Sequence, residues 1–123
     1  MGGWGALYQG FSHPDVFGVV GAHAPSLNGS GDADMSFLGT GDAFNKFDPV
    51  LLSSSAGSIE GLKVYLDASA ADPWLKRDLD LKMRLDKRKV SVDWHQFPGQ
   101  HGASYWHDHL PEYLRFYGTA LPQ

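Results

Sequence analysis

The chain has 123 residues, 42% of them hydrophobic and 13% aromatic, with 10 basic and 14 acidic side chains and a net charge of -4. This is the length and composition of one soluble globular domain, and the acidic balance gives no electrostatic reason to bind nucleic acid or an anionic membrane. Cysteine is absent, which excludes disulfides, thiolate zinc sites and cysteine nucleophiles. No apolar stretch is long enough for a membrane span and nothing reads as a secretion signal, so a soluble, cytoplasmic chain is expected.

The opening, MGGWGALYQG, places glycines at positions 2, 3 and 5, a tight turn leading into a short helix from Trp4 to Ser12. The helix should stop at His13-Pro14-Asp15, because proline restricts the residue before it. Val16 to Pro25 is apolar at both alternating sets of positions, the pattern of a strand covered on both faces in a parallel sheet. Ser26 to Thr40, rich in Gly, Ser, Asp and Asn, reads as a long loop, with a short helical piece around Pro49 to Ser53.

Leu62 to Ser69 is the second strand. Behind it Pro73 to about Lys87 reads as a helix, opened by Asp72 as its cap and Pro73 at its first position, with Leu75, Leu79 and Met83 as the buried stripe. Val90 to Phe97 alternates Val90, Val92 and Trp94 against Ser91, Asp93 and His95, as a strand nearer an edge should. The last helix covers roughly Tyr105 to Leu121, interrupted near Pro111, with Leu110, Leu114 and Tyr117 on one side. The alternation of helix and strand predicts a three-layer α/β/α architecture with about three parallel strands and right-handed crossovers.

Open α/β sheets place working groups at the carboxyl ends of their strands. Two candidates stand there: Asp72, a few residues after the second strand, and His101, in PGQHGASYW after the third. Together they could form a pair in which the carboxylate fixes the imidazole tautomer and stabilises its protonated form. Each also has a plainer reading, Asp72 as a helix cap and His101 as a solvated loop histidine. His107, Asp108 and His109 raise a metal alternative, but their spacing matches no ligand pattern, so no metal or other cofactor is expected. His23 and His95 read as core or edge histidines, and Trp4, Trp74, Trp94 and Trp106 as scattered packing residues.

MGGWGALYQGFSHPDVFGVVGAHAPSL, FNKFDPVLL, VYLDASAADPWL and FPGQHGASYWHDHLPEYLRFY together resemble the Putative esterase family of α/β-hydrolases. That family includes S-formylglutathione hydrolase, ferric-enterobactin esterases and mycolyltransferases. The resemblance covers essentially the whole chain. It implies the C-terminal half of an α/β-hydrolase fold, with residues 1–123 as a single partial domain starting just after the nucleophile-elbow serine. Met1, Gly2, Gly3, Gly5 and Ala6 match the residues after the serine in the elbow Ser-Met-Gly-Gly-x-Gly-Ala, so the serine would sit one position before Met1. The resemblance further implies Asp72 as the acid and His101 as the histidine, in the family's order of nucleophile, acid, histidine. It also implies an oxyanion donor in the backbone N–H of Met1, which is a terminal amine in this sequence.

Three functions are compatible with these residues. The first is a serine-type hydrolase of small carboxylic esters or thioesters, here lacking its nucleophile. The second is a non-catalytic remnant that self-associates or complements a missing half. The third is a small esterase with a recruited hydroxyl, Ser12, Ser26, Ser69 or Ser104, serving His101. Because Val16 to Ala24 carries no charge or other protection along its edge, a homo-oligomer pairing through that strand is expected.

Overall fold

The computed structural model describes residues 1–122; Gln123, which closes the expected 1–123 domain, lies outside them. Three strands form one sheet in the order β1-β2-β3: β1 Val19–His23, β2 Lys63–Ser69 and β3 Ser91–Phe97. Both pairings are parallel, with Ala22 opposite Leu66 and Leu66 opposite Trp94. Six α-helices surround it: α1 Gly2–Ser12, α2 Asp42–Asn45, α3 Pro49–Ser55, α4 Leu75–Lys87, α5 Ala103–Asp108 and α6 Leu110–Ala120. The segment expected as a loop also contains a 3-10 helix, Ala33–Leu38, pinned by the buried Met35.

The two faces of the sheet differ in chemistry. Val20, Ala22, Val64, Leu66, Val92 and Trp94 point to the apolar core, where they meet Leu7 and Phe11 of α1, Val50 of α3 and Leu81 and Leu85 of α4. Leu7, Val64, Leu66, Leu81 and Leu85 are fully buried there, each such side chain contributing about 1.5–3 kcal/mol of apolar transfer. The opposite face carries Gly21, His23, Tyr65, His95 and Phe97 beneath α5 and α6, an aromatic layer in which His23 lies 3.8 Å from Tyr113 and Tyr65 lies 5.4 Å from the same ring, centroid to centroid. Gly21 is required there: a Cβ would fall 1.7 Å from the Tyr117 hydroxyl oxygen, which itself sits 3.0 Å from His23 Nε2.

Several expected details differ. β1 is shorter than Val16 to Pro25, because Val16 and Phe17 lie in and just after the turn at Pro14–Val16 and are 69% and 41% exposed. In α4, Leu79 and Met83 are 43% and 62% exposed, and the buried positions are Asp78, Leu81 and Leu85. Both runs fit a helical period, and the one through Asp78, Leu81 and Leu85 is the one turned to the core. Pro73 lies ahead of α4, with Trp74 at its N-cap position. The final helix divides at His109 into α5 and α6; Leu110 and Leu114 are exposed, and Tyr113 and Ala120 are the buried positions of α6.

Candidate active site

The approach of Asp72 to His101 is set by the backbone. Parallel pairing continues past the strand ends, with Ala70 N–H donating to Phe97 C=O at 2.8 Å and Ala71 N–H to Gly99 C=O at 3.3 Å. The chain then turns at Gly99, whose φ of +123° lies in the region that favours glycine, and His101 is delivered beside Asp72. His101 Nδ1 and Asp72 Oδ2 are 2.9 Å apart. The Asp72 side chain is fully buried and that of His101 is 22% exposed. Asp72 Oδ1 accepts the backbone N–H of Trp74 at 3.0 Å, so one carboxylate both braces the start of α4 and holds the imidazole. The cap reading of Asp72 is corrected: Trp74 holds the N-cap position of α4 with no side-chain cap bond, and Asp72 closes the turn ahead of it.

Two tryptophans that read as packing in the sequence converge on the histidine. Trp74 and Trp106 each present a ring edge-on to His101, at centroid distances of 5.0 and 5.1 Å. Trp74 Nε1 donates to Asn28 Oδ1 at 3.1 Å, and Trp106 Nε1 to the carbonyl of His23 at 3.0 Å. Nothing in the spacing of the four tryptophans signals this, because the indole N–H partners, Asn28 and the His23 carbonyl, are far away in sequence.

Behind the pair, Asp67 organises the segment that leaves β1. Its Oδ1 accepts Ala24 N–H at 2.6 Å, and its Oδ2 accepts the hydroxyls of Tyr105 at 3.2 Å and Tyr113 at 3.0 Å. Burial pushes this carboxyl above the usual range, and the three donors oppose that shift. Ala24 has a φ of +46°, a conformation costing a residue with a Cβ about 1–2 kcal/mol, and the Asp67 bond is what fixes it. His23 is kept neutral, burial lowering its pKa to about 4.

Met1 lies at the N-cap of α1, 58% exposed, with its carbonyl accepting Gly5 N–H at 3.0 Å. Gly3 brings this end of α1 against the chain leaving β1: a Cβ there would lie 2.9 Å from Cβ of Pro25. The helix start thus faces the same sheet end that carries Asp72 and His101. Among the described residues, Ser12, Ser26, Ser69 and Ser104 make no hydrogen bond to His101; Ser69 is fully buried and its hydroxyl unpartnered. His107 and Asp108 pair at 3.3 Å on the surface, His95 meets Asp93 at 2.8 Å, and no group of side chains among the described residues is arranged to hold a metal ion. Nor is any described helix long and apolar enough to cross a membrane.

A parallel sheet with helices on both faces, an acid after one strand and a histidine after the next, defines part of an α/β-hydrolase fold. The chain belongs to the Putative esterase family, whose profile matches residues 1–117. It is similar in structure to a ferulic acid esterase, with a TM-score of 0.77 and 21% identity over 94% of this chain and 48% of the other. An S-formylglutathione hydrolase from Staphylococcus aureus gives a TM-score of 0.73 at 19% identity, over 94% of this chain and 47% of the other. A fluorophosphonate-binding serine hydrolase from the same organism gives 0.72 at 17%, over 94% and 50%. The chain thus spans about half the length of these structures. A search of the curated proteins gives no match.

Proposed function

We propose that residues 1–123 carry the acid and base of an ester hydrolase, with a small carboxylic ester or thioester as substrate. The observation that supports this reading is the 2.9 Å contact between His101 Nδ1 and the fully buried Asp72, in a chain of an esterase family. In that reading Asp72 holds the Nδ1–H tautomer, which leaves Nε2 to take a proton from the attacking oxygen and return it to the leaving group. The family order puts the nucleophilic serine immediately ahead of Met1, in a Gly-x-Ser-x-Gly elbow whose last glycine is Gly2. The start of α1 then supplies backbone N–H groups near the developing oxyanion.

Hydrolysis of p-nitrophenyl acetate tests the assignment. Residues 1–123 alone should turn over far below the enzyme median of about ten per second, since removal of a triad serine costs on the order of a million-fold. A reading frame that encodes Gly-x-Ser ahead of Met1 should give an active chain, and both His101→Ala and Asp72→Asn should abolish most of that activity. Activity of the extended chain that is indifferent to His101→Ala overturns the reading.

A further inference from the structure

We infer that Trp106 is a positioning residue for His101, holding the imidazole against Asp72 through a hydrogen bond to the carbonyl of His23; this rests on the reading of Asp72 and His101 as acid and base. His101 sits between Gly99 and Gly102 in a segment without regular structure, and its single side-chain hydrogen bond, to Asp72, leaves the ring free to pivot about that contact. The flanking indoles remove that freedom. Trp74 closes one side, itself held by Asn28, and Trp106 meets the imidazole edge-on at 5.1 Å.

Packing alone does not account for Trp106. It is 36% exposed, so burial accounts for part of its ring and leaves its indole N–H within reach of water. Instead that N–H reaches 83 residues back along the chain to a backbone carbonyl, 3.0 Å away. The carbonyl is turned toward α5 by the left-handed Ala24 beside it, and Ala24 is clamped by Asp67. Asp67 also accepts the hydroxyl of Tyr105, the residue preceding Trp106. The end of β1 and the start of α5 are therefore locked to one buried carboxylate, and the lock ends on the ring that abuts His101.

The test reads the imidazole and not ester turnover. In the isotope-labelled chain, the His101 Nδ1 proton is followed by NMR for solvent exchange, and side-chain couplings report its rotamer. Trp106→Phe should raise the exchange rate by about fivefold, the consequence of losing one net hydrogen bond, and should average the rotamer. Replacing Trp106 with benzothienylalanine, which keeps the fused ring and removes the N–H, should give the same change and serves where Trp106→Phe fails to fold. Trp4→Phe is the control, because Trp4 is buried and its indole N–H has no partner; it should lower stability and leave His101 unchanged. Unaltered exchange and couplings in both Trp106 variants overturn the inference, as does an equal response to Trp4→Phe. Absence of the protected Nδ1 proton in the unsubstituted chain overturns instead the acid–base reading beneath it.

Discussion

At the scale of single residues, the buried ionisable groups set a pH dependence that the surface charges do not. Asp78 is fully buried in the first turn of α4 with neither carboxylate oxygen hydrogen-bonded. Burial, and then the charges of Asp72 and Asp67, push its pKa up to about 8. An unfolded aspartate titrates near 3.9, so from about pH 4 to about pH 8 the folded chain holds a proton that the unfolded chain releases, and stability falls as pH rises. His23 acts in the opposite sense: its folded pKa of about 4 lies below the unfolded value of about 6.5, and its contribution is lost as pH falls through that window. Above about pH 6.5 His23 is silent, and Asp78 contributes up to about 1.4 kcal/mol per pH unit, in the same sense as Asp67, whose carboxyl burial also raises. Urea midpoints of the unsubstituted chain should therefore drop between pH 6.5 and pH 8, and those of Asp78→Asn should drop less. Parallel curves would show that Asp78 is ionised at no cost. Asp72 and His101 were legible in the sequence because strand ends mark them. Asp78 was not, since an acid in a helix's first turn reads as a surface group favoured by the helix dipole. Trp74, Trp106 and Asp67 were not legible either, their roles depending on partners from 38 to 83 residues away.

At the scale of elements, α4 shows where a sequence pattern misleads and offers a direct check. In the stripe of Leu75, Leu79 and Met83, the last two turn outward, while Leu81 and Leu85 are fully buried against the sheet. Leu81→Ala and Leu85→Ala should each cost about 2–5 kcal/mol by opening a cavity in the core. Leu79→Ala and Met83→Ala should stay within about 0.5 kcal/mol, as exposed substitutions do. Chemical denaturation of the four variants separates the two stripes, and a large loss at Met83 would return the helix to the face that its apolar spacing suggests. The order of elements and the parallel sheet were legible, because apolar runs with turn residues between them carry that information. The inward face of α4 was obscured by Asp78, which interrupts the true stripe with a charge. For α6, the aromatic layer it covers selects Tyr113 and Tyr117, and the leucines at 110 and 114 are left outside.

At the scale of the whole fold, β1 pairs among the described residues with β2 alone, which leaves its other side as an edge of the sheet described here. Its five residues, Val19–His23, contain no charge that is fixed at neutral pH and no proline, since His23 is held neutral by burial. The approach to this edge is apolar, with Val16 and Phe17 exposed, and a cavity of about 260 Å³ beside it is lined by Ala6, Phe17, Val19 and Tyr117, among others. Unprotected strands of this kind recruit another strand. We propose that a second copy of the chain is that partner, β1 running antiparallel to its mate about a two-fold axis so that two three-stranded sheets become one of six. Val20 is the wrong residue at which to test this, because it is 4% exposed and faces the core, so a charge there unfolds the chain before it reports on assembly. Phe17→Lys and Val19→Lys place the charge at the edge instead. Sedimentation at micromolar concentration should give a dimer for the unsubstituted chain and a folded monomer for Phe17→Lys. The competing occupant is the remainder of a full-length chain, since the similar structures are about twice as long. A chain extended ahead of Met1 that sediments as a monomer, while residues 1–123 dimerise, shows one edge serving both partners. A monomer at every concentration for residues 1–123, with amide protons along Val19–His23 exchanging freely, removes the dimer.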